Sequence, residues 1–135
     1  MQVSIVSPEK EVFRGDADLV IARSPEGEFG IMRNHIPFLA ALVPGVVTVV
    51  SGGSREAFFV PGGFLEASKG SDDESEDAYH VIVLADDAVP AGSVSADEVK
   101  QKIEEAIRRS QGEDAEISDA QVQAAIQRVE MASQS

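Results

Sequence analysis

The residues best suited to acid–base work or metal ligation in this chain are its two histidines, His35 and His80, since imidazole titrates near neutral pH and ligates through either ring nitrogen. Neither has a Glu or His partner at the spacing of an H-E-x-x-H helix. His35 precedes Ile36-Pro37 and reads as a surface or turn-fixing residue, while His80 falls in an alternating run and reads as an exposed strand position. Carboxylates abound, from Asp72 to Asp77 and at Asp86-Asp87, but a catalytic pair needs burial that separates its two pKa values, and these lie in polar stretches. The run Gly70-Ser71-Asp72-Asp73-Glu74-Ser75-Glu76-Asp77 has the acidity of a calcium loop without the glycine at its sixth position, so a solvated hairpin loop is the preferred reading. There is no G-x-x-x-x-G-K-[ST] phosphate loop and no G-x-S-x-G elbow, and Ser51 and Ser54 flank an ordinary glycine turn. Cysteine is absent, which removes disulfides, thiolate metal sites and thiol nucleophiles. No catalytic residue, cofactor or metal site is expected.

Composition narrows the partners. The formal net charge of −13 opposes binding to phosphate backbones or anionic lipid, both of which need clustered Lys and Arg, so nucleic acid is not expected as a partner. No apolar run approaches the ~18 residues of a bilayer span, and MQVSIVSPEKEV has neither a basic start nor an apolar signal core. Direct membrane insertion is not expected, and any action at a membrane would pass through a partner. With 135 residues the chain can bury a real core as one domain, or as one small domain with an appendage.

Up to about Asp86 the grammar is that of short strands. Period-two pairs recur at Val3 and Ile5, Leu19 and Ile21, Val47 and Val49, Phe58 and Val60, and Val81 and Val83. Turn signals separate them at Ser7-Pro8, Gly15-Asp16, Pro25-Glu26-Gly27, Pro44-Gly45, Gly52-Gly53 and Pro61-Gly62-Gly63. A spacing of roughly ten residues between signals is that of a sandwich or barrel of short antiparallel strands. The clearest hairpin joins Val46–Val50 to Ala57–Val60 through Ser51-Gly52-Gly53-Ser54.

After Asp87 the period changes. Ala88-Val89-Pro90-Ala91-Gly92 reads as a linker, and Ser95-Ala96-Asp97-Glu98 as a capping box that starts a helix with Val99, Ile103, Ala106 and Ile107 on one stripe. Arg108 and Arg109 favour the helix's negative end, and Gly112 supplies a stop. Ser118-Asp119-Ala120-Gln121 repeats the capping signal before a second stripe of Val122, Ala125, Ile126 and Val129. The expected organisation is a sandwich over 1–87, a linker over 88–95 and a two-helix hairpin over 96–135. Narrow stripes of small and medium residues imply a hairpin weakly held and able to leave its resting place.

The order of these motifs resembles the epsilon subunit of F-type ATP synthases. The resemblance begins at Val6-Ser7-Pro8-Glu9 and Val12-Phe13-Arg14-Gly15 and is densest over PEGEFGIMRNHIPFLAALVPG, from Pro25 to Gly45. Gly62-Gly63-Phe64-Leu65-Glu66 and Val83-Leu84-Ala85-Asp86 carry it onward, with the helical hairpin following. It implies an α+β, mainly β fold: an N-terminal antiparallel β-sandwich of two five-stranded sheets and a C-terminal α-helical hairpin. It further implies a non-catalytic central-stalk rotor subunit of the proton-translocating enzyme, peripheral on the cytoplasmic face of a bacterial inner membrane. Its partners would be the gamma subunit and the c-ring, and transiently the alpha and beta subunits, with the hairpin inhibiting ATP hydrolysis. Glu28, Phe29, Met32, Asn34 and His35 match the ring-facing segment, in a loop with Gly27 and Gly30, and Glu28 and His35 are the expected ring contacts.

Two departures from that resemblance carry consequences. Some members bind ATP through an I-D-x-x-R-A motif, whose place is taken here by Val94-Ser95-Ala96-Asp97-Glu98-Val99. Ser95 replaces the Asp and Glu98 replaces the Arg, a carboxylate that repels phosphate, so tight nucleotide binding is not expected. Several members carry a basic last helix, whereas Arg128 is the sole cation from Ser118 to Ser135, so inhibition by electrostatic capture should be weak. The alternative reading is a stand-alone β-sandwich interaction adaptor with a mobile helical hairpin.

Overall fold

The computed structural model describes residues 1–33, 37–69 and 79–133. The acidic loop expected over Gly70 to Asp77, with its calcium alternative, lies outside the described residues, as do Asn34 and His35.

Ten strands form two five-stranded sheets among the described residues. The first sheet holds, in spatial order, β2 (Glu11–Asp16), β1 (Gln2–Val6), β9 (Tyr79–Ala85), β8 (Gly63–Lys69) and β5 (Phe38–Leu42). The second holds β10 (Val89–Pro90), β7 (Ser54–Val60), β6 (Gly45–Ser51), β3 (Leu19–Ser24) and β4 (Gly27–Met32). A two-residue turn joins β6 to β7 with Gly52 at φ 55° and Gly53 at φ 88°, the doubly left-handed geometry whose twist matches that of the strands it connects. The Gly52 amide also donates to Asp18 Oδ2 at 2.9 Å, tying this turn to the start of β3.

One pairing departs from the expected antiparallel pattern. β1 runs parallel to β9, in register from Gln2↔His80 to Val6↔Leu84, while the other pairings are antiparallel. The amino-terminal strand is inserted between β2 and the last long strand, a long-range pairing that no local turn signal announces.

Between the sheets lies a core of Val3, Ile5, Val20, Ile31, Leu65, Val81 and Val83, each 0% exposed, with further apolar neighbours. In β3 it is Val20 and Ala22 that enter this core, and Leu19 and Ile21 take the opposite face. An aromatic pair bridges the sheets on each side: Phe13 against Phe58 at 5.7 Å between ring centroids, and Phe29 against Phe38 at 5.1 Å.

The outer face of the second sheet carries the helices. α1 (Ala96–Gln111) and α2 (Asp119–Ser133) form a hairpin whose inner residues Val99, Ile103, Val122, Ala125 and Val129 pack with Phe59 and Ala91 in a second apolar cluster. The last residues of β7 are therefore buried on both sides, Phe58 toward the inter-sheet core and Phe59 toward the hairpin. The capping box at α1 forms as the Glu98 amide donates to Ser95 Oγ at 3.2 Å, but the Glu98 carboxylate accepts from the Ser95 hydroxyl, at 3.3 Å, where the motif predicts the Ser95 amide. Gly112, at φ 101°, closes the helix by donating to the Arg108 carbonyl. Ser118 caps α2 through the Gln121 amide.

Residues 88–95 do more than connect. Val89-Pro90 pairs with Phe59 and Phe58 as the tenth strand, a 3-10 turn over Ala91–Ser93 follows, and Ala91 and Val94 join the second cluster.

Candidate functional site

Of the segment matched to a ring-facing loop, Gly27–Met32 is the edge strand β4 and not a loop. Its entry is built locally: Ser24 Oγ accepts from the Glu26 amide at 3.2 Å and donates to the Gly27 carbonyl at 3.4 Å, with Gly27 at φ 127°. Gly30 is no turn residue. It pairs with Ile21 mid-strand, and a Cβ there would sit 3.2 Å from Leu19 Cδ1, so glycine marks a close approach of a side chain to the backbone.

Strand alternation then separates the expected contact residues. Phe29 and Ile31 face the inter-sheet core, where Phe29 packs on Phe38, so Phe29 supports the edge from within. Glu28 and Met32 face outward, both well exposed, and Glu28 pairs with Arg23 across the ladder at 3.6 Å. No geometry is described for Asn34 and His35.

Outward on the second sheet means toward the hairpin. A crevice of about 260 Å³ opens between the sheet and the end of α2, with Arg23, Glu28 and Thr48 on the sheet side and Arg128, Met131 and Ala132 on the helix. The Arg128 guanidinium donates to the Pro44 carbonyl at 3.3 Å. Burial holds its pKa below the ordinary value, with Arg23 adding to the effect and Glu28 opposing it.

At the other end of the hairpin a cleft of about 510 Å³ separates the sandwich from α1, walled by Ser7, Pro61, Asp86, Asp87, Lys102 and Arg109 among others. Lys102 Nζ donates to Asp87 Oδ2. Burial raises the Asp87 carboxyl, but the Lys102 hydrogen bond, the Ala88 amide and the charges of Lys102 and Arg109 outweigh it and hold it below the usual carboxylate range. The same hydrogen bond raises Lys102 against its own desolvation. Val94, Ser95 and Glu98 are engaged in packing and capping at the helix start.

The sequence reading passed over the outer face of the first sheet. Ala41, Phe64, Leu84 and Val6 stand opposite one another across β5, β8, β9 and β1, forming a transverse apolar row. Phe64 is 55% and Leu84 56% exposed, and Leu39 and Ile82 lie exposed beside them. The signal was present in Val81-Ile82-Val83-Leu84, an unbroken apolar run in a strand with only one face in the core. Among the described residues no group of three or more His, Asp or Glu side chains could hold a metal ion.

Residues 1–91 match the family model described as the ATP synthase, Delta/Epsilon chain, beta-sandwich domain. The sodium ion specific ATP synthase epsilon chain of Propionigenium modestum is 32% identical, over 98% of this chain and 93% of that one. The ATP synthase epsilon chain of Myxococcus xanthus is 35% identical over 98% and 90% respectively. A chain in the central stalk/c-ring structure of the Tetrahymena thermophila mitochondrial ATP synthase shares the fold, with a TM-score of 0.58 at 16% identity, covering 98% of this chain and 95% of that one. Sandwich, hairpin and sequence agree along the whole length compared, and the chain belongs to the epsilon-chain family of F-type ATP synthases.

Proposed function

We propose that the chain is a non-catalytic rotor subunit of the central stalk, binding the gamma subunit and the c-ring and coupling rotation to ATP synthesis. The relatives' names and the central-stalk setting of the Tetrahymena chain support the placement. The observation that carries the docking surface is the uncovered apolar row Ala41–Phe64–Leu84–Val6. The opposite sheet packs Val46, Ala57 and Phe59 of its outer face against the chain's own hairpin, while this one leaves its apolar row for another subunit. We assign that face to gamma, and the exposed side of β4 with Glu28 and Met32, together with Asn34 and His35, to the ring.

In this reading the sandwich of 1–87 is the fixed body, 88–95 the joint and 96–135 the moving part, which visits the alpha and beta subunits transiently. The subunit sits peripherally on the cytoplasmic face of a bacterial inner membrane. No helix among the described residues is long and apolar enough to cross a bilayer, which fits attachment through partners. Inhibition of hydrolysis is weak because Arg128 is the one cation that the last helix can offer to an acidic surface. Deleting 96–135 should therefore change ATPase activity of the assembled enzyme little; a many-fold rise would contradict this.

Phe64→Glu and Leu84→Arg test the gamma assignment directly, since both side chains are exposed and the variants should fold. Each should abolish co-purification with gamma while leaving the melting temperature within a few degrees. Wild-type recovery of gamma with both variants would remove the assignment, and recovery of an unrelated partner in its place would favour a stand-alone adaptor.

A further inference from the structure

Glu28 occupies a position that neither docking nor strand pairing accounts for in full. It stands at the crevice between the sheet and the end of α2, with Arg23 paired to it at 3.6 Å on the sheet side and Arg128 entering from the helix. Arg128 has a fixed anchor in the Pro44 carbonyl, a neutral acceptor, so nothing in that hydrogen bond offsets the charge of Arg23 nearby. We infer that Glu28 is the charge keystone of the hairpin's dock, its carboxylate screening Arg23 from Arg128, so that a partner group drawing Glu28 away loosens α2 from the sandwich.

The physical argument is one of like charges. Two guanidinium groups remain ionised under any physiological condition, and their repulsion in a partly desolvated crevice is relieved by an anion held between or beside them, for which salt is a weaker substitute. The direction of the influences on Arg128 agrees, Arg23 disfavouring its charge and Glu28 favouring it. Met131 and Ala132 lining the same crevice make the last turns of α2 the part that would feel the loss. The partner half of the inference rests on the ring-facing reading of Glu28 given above. A cationic side chain that takes up this carboxylate would couple attachment of the sandwich to release of the hairpin through a single residue.

The test uses the isolated full-length chain and follows amide hydrogen exchange of α2, with Val81 and Val83 in the sandwich core as internal reference. Glu28→Gln mimics the carboxylate drawn away and should speed α2 exchange about two- to fivefold at low salt, the range of an exposed ion pair, without changing the reference amides. Adding Arg23→Gln to that variant should return α2 to near the wild-type rate, and about 1 M salt should shrink the difference between Glu28→Gln and wild type. Unchanged α2 exchange in Glu28→Gln, or a double variant as fast as the single one, would overturn the keystone. Failure of the ring-facing reading is separable: it would appear as a missing cross-link from position 28 to the ring in the assembled enzyme, with the exchange result unaffected.

Discussion

Arg128 of the last helix donates to the carbonyl oxygen of Pro44, 84 residues earlier in the chain, at 3.3 Å. The bond pins the far end of α2 to the turn that opens β6, where Gly45 leaves room beside the Arg128 stem. A hydrogen bond from a charged donor is worth roughly 1 kcal/mol here after discounting for its partial exposure. Arg128→Ala should raise the open population of α2 by about fivefold, read as faster exchange of the amides from Val122 onward, with the sandwich unaffected.

Phe59 is the hinge of the hairpin's apolar dock. Fully buried beneath the helices, it is the largest side chain of the second cluster, whose other members are mainly valine, isoleucine and alanine. Phe59→Ala should cost about 3–5 kcal/mol locally. Because Phe58 still fills the inter-sheet core, the loss should fall on the hairpin, and limited proteolysis should clip between Gly112 and Ser118 while a sandwich fragment survives. Uniform unfolding of the whole chain in one transition at lower temperature would show that hairpin and sandwich are a single cooperative unit.

The strands and helix starts were legible because their signals are local. Gly52-Gly53 between two β-branched runs fixes a hairpin without help from elsewhere, and Ser95 three residues before Glu98 marks a helix start. What could not be read depends on distant neighbours. Gly30 resembles a turn glycine until Leu19 is seen lying over it, β1 gives no sign that its partner is β9, and Phe29 looks as available as Glu28 until the strand's pleat is known. The apolar row of the first sheet depends on register across four strands, which one sequence does not specify. The crevice at Arg128 needed a contact across most of the chain's length.

Gly63 should tolerate no side chain. It sits at φ 140°, and a Cβ there would lie 2.2 Å from the Leu84 carbonyl oxygen and 2.9 Å from Ala85 Cα, both backbone atoms of the neighbouring strand. Backbone strain and the forced separation of β8 from β9 together put Gly63→Ala at about 3 kcal/mol or more. Gly92→Ala, with open space around it, should stay within about 0.5 kcal/mol, so the two variants compared by urea unfolding separate close approach from a general cost of removing glycine.

The Asp87–Lys102 clasp gives the dock of α1 a defined pH window. Asp87 titrates below its unfolded value, so its contribution is present above about pH 4 and lost as pH falls through the lower folded value. Lys102 titrates above its unfolded value, so its contribution is present below about pH 10 and lost as pH rises through the higher folded value. Exchange protection of α1 at Val99 and Ile103, corrected for intrinsic rates, should therefore be flat between these limits and decline outside both. Asp87→Asn should lower the plateau and, by removing one partner of the pair, flatten its share of each limb. An acid limb that survives unchanged in Asp87→Asn would mean that Asp87 is not the carboxylate that holds the helix.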